Sequence, residues 1–244
     1  MEFTETKPCA ALSPFIHAFW ELKGDKNDSQ WERNFPDGCS GLVINLGESC
    51  KTDNGTHAME YGKTYAVGAM TSFNESFIEN GTHLLGVCLK PAAFSNFYHY
   101  APQNELINST VEFDRALSFN TEKITENPMA YLNQFYSNRI GKTDAQIQAV
   151  ITDIHQAKGQ TGIYEIARRN CTTIRQLERK FKTHVGITPK EYSNIVRFQH
   201  ALSIIKNPGQ KRSLLEIAFE CGFYDHSHLS NEIKRNTGLA PSQL

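Results

Sequence analysis

A 52-residue period in the last third of the chain constrains its fold more than any other feature. Leu177, Phe181, Lys182, Gly186 and Pro189 recur as Leu229, Ile233, Lys234, Gly238 and Pro241. Upstream, Ala167 is matched by Ala218 at an offset of 51. Each copy reads as an alanine, a spacer, a leucine, an apolar-Lys pair, a glycine and a proline. Apolar residues four apart lie on one face of a helix, so the chain builds one helical unit twice, burying the same face each time.

Each copy carries the local signals of a helix-turn-helix. In the first, a helix runs from about Gly162 to Arg169 with Ile163, Ile166 and Ala167 inward. A small residue at Ala167 or Ala218 lets the next helix cross closely. The turn falls at Cys171 in copy one and Gly222 in copy two. Thr173 and Gln176 have the spacing of a capping box, as do Ser213 and Glu216; Asp225 is the expected cap of the last helix. Between the copies, Thr188-Pro189-Lys190-Glu191 opens a long helix that runs to about Lys206 and is stopped by Asn207-Pro208-Gly209. Units at opposite ends of such a helix present two recognition helices to successive major grooves, roughly 34 Å apart. A plain helical bundle accounts for the leucine and phenylalanine. It does not account for Arg175, Arg179, Lys180 and Lys182 on a capped helix after a tight turn.

Charge supports the division. The 244 residues carry 25 basic and 26 acidic side chains, a net −1 that argues against a polyanionic partner. Read by position, residues 1–150 hold 11 basic and 18 acidic side chains and residues 151–244 hold 14 and 8. The acidic and basic portions read as separate modules. Within the repeat, the helix near 174–184 holds four cations, whereas Lys234 and Arg235 come late in its counterpart. Most of the electrostatic grip is therefore expected from the first unit.

These residues resemble the AraC-type (AraC/XylS) transcriptional regulators, whose C-terminal domain is a double helix-turn-helix. The resemblance rests on Leu177-x-Arg179-x-Phe181-Lys182 with Gly186-Ile187-Thr188-Pro189, and on Ile217-Ala218-x-x-x-Gly222-Phe223 with Gly238-Leu239-Ala240-Pro241. It implies base-reading positions at Arg175, Glu178 and Arg179 on the first recognition helix, and at His226, Ser227 and Asn231 on the second. Arginine can grip guanine O6 and N7, glutamate can accept from cytosine N4, and asparagine can bond adenine. Glu178 reads equally well as an i, i+4 partner of Lys182. Thr173, Lys180, Lys182 and Lys234 are the implied phosphate contacts. The sequence departs from the family at Asn231 and Ile233, where arginine and phenylalanine are usual, and it ends at Leu244, before the family's usual short final helix.

The first hundred residues read as β-rich. Short apolar runs at 15–20, 42–46 and 84–89 are separated by the turn signals Pro36-Asp37-Gly38, Asp53-Asn54-Gly55 and Asn80-Gly81. Pro91 opens a short helix over 92–98. Asn127-Pro128 opens another that Gly141 ends, and a stripe of Ile147, Val150, Ile151 and Ile154 marks a third that Gly159 closes. Phe35-Pro36-Asp37-Gly38-x-x-Gly41 through Gly47, and Gly86-Val87-x-Leu89-Lys90-Pro91, resemble the effector side of such regulators, which implies a cupin-like β-barrel. The expected fold class is thus two-domain α+β. A β-rich effector or dimerisation domain spans 1–120, a helical linker 121–143, and an all-α domain of two units on a long helix 144–244.

The expected function is a sequence-specific regulator that binds double-stranded DNA. The resemblance further implies a small-molecule effector, a homodimer and RNA polymerase as partners. No cofactor is expected. No metal is expected either, because His17, His57, His83 and His99 are widely spaced. Trp20, Trp31 and Tyr65 read either as pocket lining or as core. The N-terminus lacks the apolar stretch of a signal peptide and no window is long enough to span a bilayer, which together point to the cytoplasm. Two other readings stay open. One is a cupin-like enzyme using a cysteine such as Cys88 with a histidine, although no nucleophile elbow or phosphate loop is present. The other is a protein-interaction adaptor, favoured by the missing arginine at Asn231. The scattered cysteines read as free thiols, or as a redox pair such as Cys39 with Cys50.

Overall fold

The computed structural model describes residues 1–27, 29–98, 102–207 and 212–244. His99, Pro208 and Gly209, named above, lie outside that set. The β-rich part contains β1 (Glu2–Thr6), β2 (Ile16–Lys23), β3 (Ser29–Asn34), β4 (Ser40–Asn45), β5 (Cys50–Thr52), β6 (His57–Met59), β7 (Thr64–Val67), β8 (Asn74–Glu79), β9 (His83–Leu89) and β10 (Thr110–Glu112). Six of these form one antiparallel sheet in the order β1-β2-β9-β4-β7-β10. The remaining strands pair as β3-β8 and β5-β6. The described strands thus form three separate sheets, and their pairing does not close the expected barrel.

The three apolar runs read from the sequence are the adjacent strands β2, β9 and β4, in the interior of the large sheet. Every residue of β4 is buried, because both faces are covered, and a strand covered twice loses polar alternation. Leu42, Ile44, Leu85 and Val87 face one core with Phe94 and Tyr136. Val43 and Leu84 face a second with Tyr65 and Ile78.

The helices are α1 (Phe94–Phe97), α2 (Thr121–Glu126), α3 (Pro128–Ser137), α4 (Ala145–Gln156), α5 (Ile163–Arg169), α6 (Ile174–His184), α7 (Pro189–Ile205), α8 (Leu214–Glu220) and α9 (His226–Thr237). The helix expected over 92–98 is shorter. Ala92 takes φ +66°, a left-handed conformation that no helix continues through. Asn127 caps α3 as expected, accepting from the Ala130 amide. The helix ends at Ser137, however, and Gly141 instead lies beyond it, donating its amide to Asn96 O at 2.7 Å. The segment 121–143 is not a bare tether. Ile124, Leu132, Phe135 and Tyr136 share the core of the large sheet, and the buried Tyr98 hydroxyl donates to that of Tyr136 at 3.1 Å.

Two further cores hold the helical part. Ile147, Val150, Ile166, Leu177, Phe181 and Tyr192 pack together, and the β-rich part adds Ala69 and Ala92 to the same cluster. Phe198, Leu202, Ile217, Phe223, Leu229 and Ile233 form the other, with Phe35 packed against it. Helix α7, about 25 Å long at 1.5 Å per residue, runs through both. Its N-terminal residues serve the first unit and its C-terminal residues the second.

Candidate nucleic-acid interface

The two units are built alike where the period predicts it. Helix α6 opens with a complete capping box. Thr173 Oγ1 accepts the Gln176 amide at 3.2 Å, and Gln176 Oε1 accepts the Thr173 amide at 3.2 Å. The same reciprocal pair opens α8 through Ser213 and Glu216 and α7 through Thr188 and Glu191. Helix α9 has the simpler cap, with Asp225 Oδ1 accepting the His228 amide at 2.7 Å. Each cap satisfies amides that a helix start leaves unpaired, so the chain enters α6 and α9 at a defined angle.

The turn before each recognition helix adopts a left-handed residue. Cys171 sits at φ +49° and Gly222 at φ +70°, the two positions aligned as turns. Leu177 and Phe181 anchor α6 inward, and Leu229 and Ile233 anchor α9; all four are fully or almost fully buried. With those faces fixed, the opposite faces are set by the 3.6-residue repeat. On α6, Arg175, Glu178, Arg179 and Lys182 are exposed. On α9, His226, Ser227, Asn231 and Lys234 are exposed. Arg175, Arg179 and Lys182 follow an i, i+4, i+7 row, as do Ser227, Asn231 and Lys234, so each helix presents one polar stripe.

Two of the expected phosphate contacts are already engaged. Lys180 is half-buried, and its Nζ donates to Asp144 Oδ2 at 2.8 Å. Asp144 in turn caps α4 through the amides of Gln146 and Ile147. Desolvation pushes the Asp144 carboxyl up, but the bond from Lys180 and these amides outweigh it and hold the group below its ordinary range. Lys180 therefore ties α6 to α4. The Thr173 hydroxyl is committed to its capping box. Among the described residues, Glu178 has no ion pair with Lys182 within 4 Å, so the alternative role as its i, i+4 partner is not seen. Ser227 Oγ lies 3.4 Å from His226 Nε2.

Tyr224 is 84% exposed in the turn leading into α9, and its place beside the Asp225 cap is the one local signal that marks it. The β-rich part also docks on the helices through contacts that no local signal marks. His184, at the end of α6, lies 3.1 Å through Nδ1 from Ser95 Oγ. Gln199 on α7 donates to the Pro36 carbonyl at 2.6 Å. Nothing in the spacing marks these partners, because they are about 90 and 160 residues apart.

The β-rich part also holds an open cavity of about 850 Å³ between the β6–β7 turn, the segment after β10, and α3. Phe113, Phe119, Tyr131 and Phe135 line it with Arg115 and Lys123. Trp20, Trp31 and Tyr65 do not. Tyr65 is core, and Trp31 is 44% exposed on β3.

Comparison with known proteins fits this geometry. Residues 166–244 match the model of a helix-turn-helix domain, and residues 4–112 match a domain of unknown function, DUF6597. The chain is 32% identical over 103 residues to the HTH-type transcriptional activator RhaS of Escherichia fergusonii, covering 42% of this chain and 36% of that protein. It is 32% identical over 80 residues to RhaS of Klebsiella pneumoniae, covering 33% and 28%. The chain thus spans about a third of the length of these curated relatives. Among solved structures, ToxT of Vibrio cholerae superposes with a TM-score of 0.51 at 13% identity, over 92% of this chain and 96% of that one. The same protein with an unsaturated fatty acid bound gives 0.50 at 14% identity, over 92% of each chain. At this identity the likeness is one of fold, a β-rich N-terminal part followed by a helical C-terminal part. The C-terminal region is an AraC-type helix-turn-helix domain, with the RhaS activators among its homologues.

Proposed function

We propose that the protein is a sequence-specific transcriptional regulator, not an enzyme, that acts on double-stranded DNA in the cytoplasm. The observation that carries this is the pair of capped helices α6 and α9, each anchored by two buried apolar residues and each turning a polar stripe to solvent. Arg175, Glu178 and Arg179 read bases from α6, with His226, Ser227 and Asn231 reading from α9. Lys182 and Lys234, with the helix starts at Thr173 and Asp225, position the phosphates. Lys180 joins them only by leaving Asp144. The functional division follows the sequence reading. Residues 144–244 bind DNA, and residues 1–120, with 121–143 packed on them, form a cupin-like effector or dimerisation unit. Among the described residues no helix is long and apolar enough to cross a membrane.

The 850 Å³ cavity is of the size that small-molecule sites have, and its aromatic residues stand among polar and charged ones; we place the effector there. ToxT, which shares the fold, has been solved with an unsaturated fatty acid. Homodimer formation and contact with RNA polymerase complete the proposal. The test is selection of bound DNA from a random pool by the full chain at two salt concentrations. Two half-sites about one helical turn apart, with binding that weakens steeply in salt, are expected. Recovery of unenriched sequence at both concentrations overturns the reading.

A further inference from the structure

The turn that enters β4 and the end of β9 bring together three metal-ligating side chains that DNA recognition does not use. Asp37, Cys39 and Cys88 each offer one donor atom, and these lie within 4.8 Å of one another. Asp37 is oriented by its own turn, with the Cys39 amide donating to Oδ1 at 2.8 Å and Gly38 at φ +76°. Cys39 and Cys88 are free thiols, each half-buried. Cys50, the partner that chain proximity suggested for Cys39, is buried elsewhere, with its Sγ 3.4 Å from the Phe77 carbonyl.

Cys88 faces Gly41 across the β4–β9 ladder, and Ser40 faces Leu89. Cys39 immediately precedes Ser40, so the turn at Gly38 delivers it to the end of β9 beside Cys88. A cation bridging two sulfurs through bonds of about 2.3 Å fits donors already this close.

We propose that Asp37, Cys39 and Cys88 bind a thiophilic divalent cation of the zinc class, where the β-rich part meets α7. Two thiolates and a carboxylate are a soft donor set that favours zinc over magnesium or calcium. Cys39 is held well above the usual thiol range, first by the bond to Cys88, then by desolvation and by the Asp37 carboxylate. A dication offsets that penalty, and the two thiol protons leave to solvent as it binds. The site borders the linking helix directly. A β-carbon at Gly38 would stand 2.5 Å from the Tyr192 ring of α7, and Gln199 of α7 holds the Pro36 carbonyl.

The test is titration of the reduced full chain with Co²⁺ as a spectroscopic stand-in. One equivalent should produce a thiolate charge-transfer absorption and ligand-field bands of tetrahedral strength, displaced by Zn²⁺ and absent with Mg²⁺. C39S and C88S should each abolish the spectrum, D37N should weaken affinity by about tenfold or more, and the C9S/C171S variant should keep it. A second measurement needs no variant. Zn²⁺ should slow alkylation of Cys39 and Cys88 in the unaltered chain, read by peptide mass spectrometry, and leave exposed Cys9 and Cys171 unprotected. A spectrum that survives in the C39S/C88S variant overturns the assignment, as does the absence of both spectrum and protection.

Discussion

The two helix-turn-helix units share a frame and differ in what they hang on it. Leu177 and Phe181 occupy in α6 the places that Leu229 and Ile233 occupy in α9, and all four are buried. The exposed stripes diverge. Arg175 and Arg179 carry charge on α6 where the aligned Ser227 and Asn231 are neutral on α9, while Lys182 and Lys234 match. The units also attach differently to the β-rich part. The first takes Ala69 and Ala92 into its own core, while the second meets Phe35 at its edge. Packing was duplicated because any helix pair needs it. Charge was free to vary because it faces outward. From this difference we propose that the first unit supplies most of the affinity and the second refines it.

The strongest way to break that comparison is through its common frame. Phe181→Ala should cost about 3–5 kcal/mol of stability, measured by urea denaturation, because a fully buried ring leaves a cavity. Ile233→Ala should cost about 2–5 kcal/mol. A loss under 1 kcal/mol at either position would mean that the unit does not depend on this anchor. Next in size is recognition itself. Arg179→Ala should weaken specific binding by about 1–3 kcal/mol and relax base preference at one position, and Asn231→Ala should do less. Lys182→Ala should weaken all sequences alike and reduce the salt slope by about 1. If Asn231→Ala proves the more damaging, affinity resides in the second unit.

The turns offer a smaller and sharper contrast. Cys171 bears a side chain at a left-handed φ, while Gly222 bears none at the matching position. Cys171→Gly should raise stability by up to about 1 kcal/mol, and Gly222→Ala should lower it by about the same. At Gly222 a β-carbon would also meet the Gln160 side chain at 3.0–3.2 Å. Opposite signs in paired denaturation curves confirm the matched turns, and like signs refute them. The smallest effect concerns Lys180. Its folded-state bond helps hold Asp144 below the ordinary carboxylate value of about 3.9. A lowered carboxyl stabilises above the unfolded-state value, and that contribution is lost as pH falls through the folded one. Lys180→Ala should raise the Asp144 midpoint followed by NMR and shrink the acid-side loss of stability. An unmoved midpoint would free Lys180 for phosphate.

Much of this was legible in advance because the signals are local. Capping boxes at Thr173, Thr188 and Ser213 span three residues, and all three form. The central strands were visible because β4 and β9 are apolar on both faces and β2 opens on an apolar, aromatic run. The sequence is silent where a distant partner decides the outcome. The segment 121–143 has the look of a linker until Tyr136 meets Tyr98. Lys180 reads as a phosphate contact, and its bond to Asp144, 36 residues earlier, leaves no trace in the spacing. Three sheets stand where a closed barrel was expected, because closure depends on which edges meet, and alternation does not encode that.

The repeat, the helix starts, the turn positions and the face each recognition helix buries are all written in the local order of residues. These follow from spacing against a 3.6-residue turn and from hydrogen bonds within a few residues. Only the tertiary structure decided that Lys180 is tied down, that α7 leans on the turn at Pro36-Asp37-Gly38, and that Cys39 lies beside Cys88. Each is a contact between residues far apart in the chain, made when strands pair and helices dock. Their proximity comes from burying shared apolar faces, and no spacing in the sequence records it.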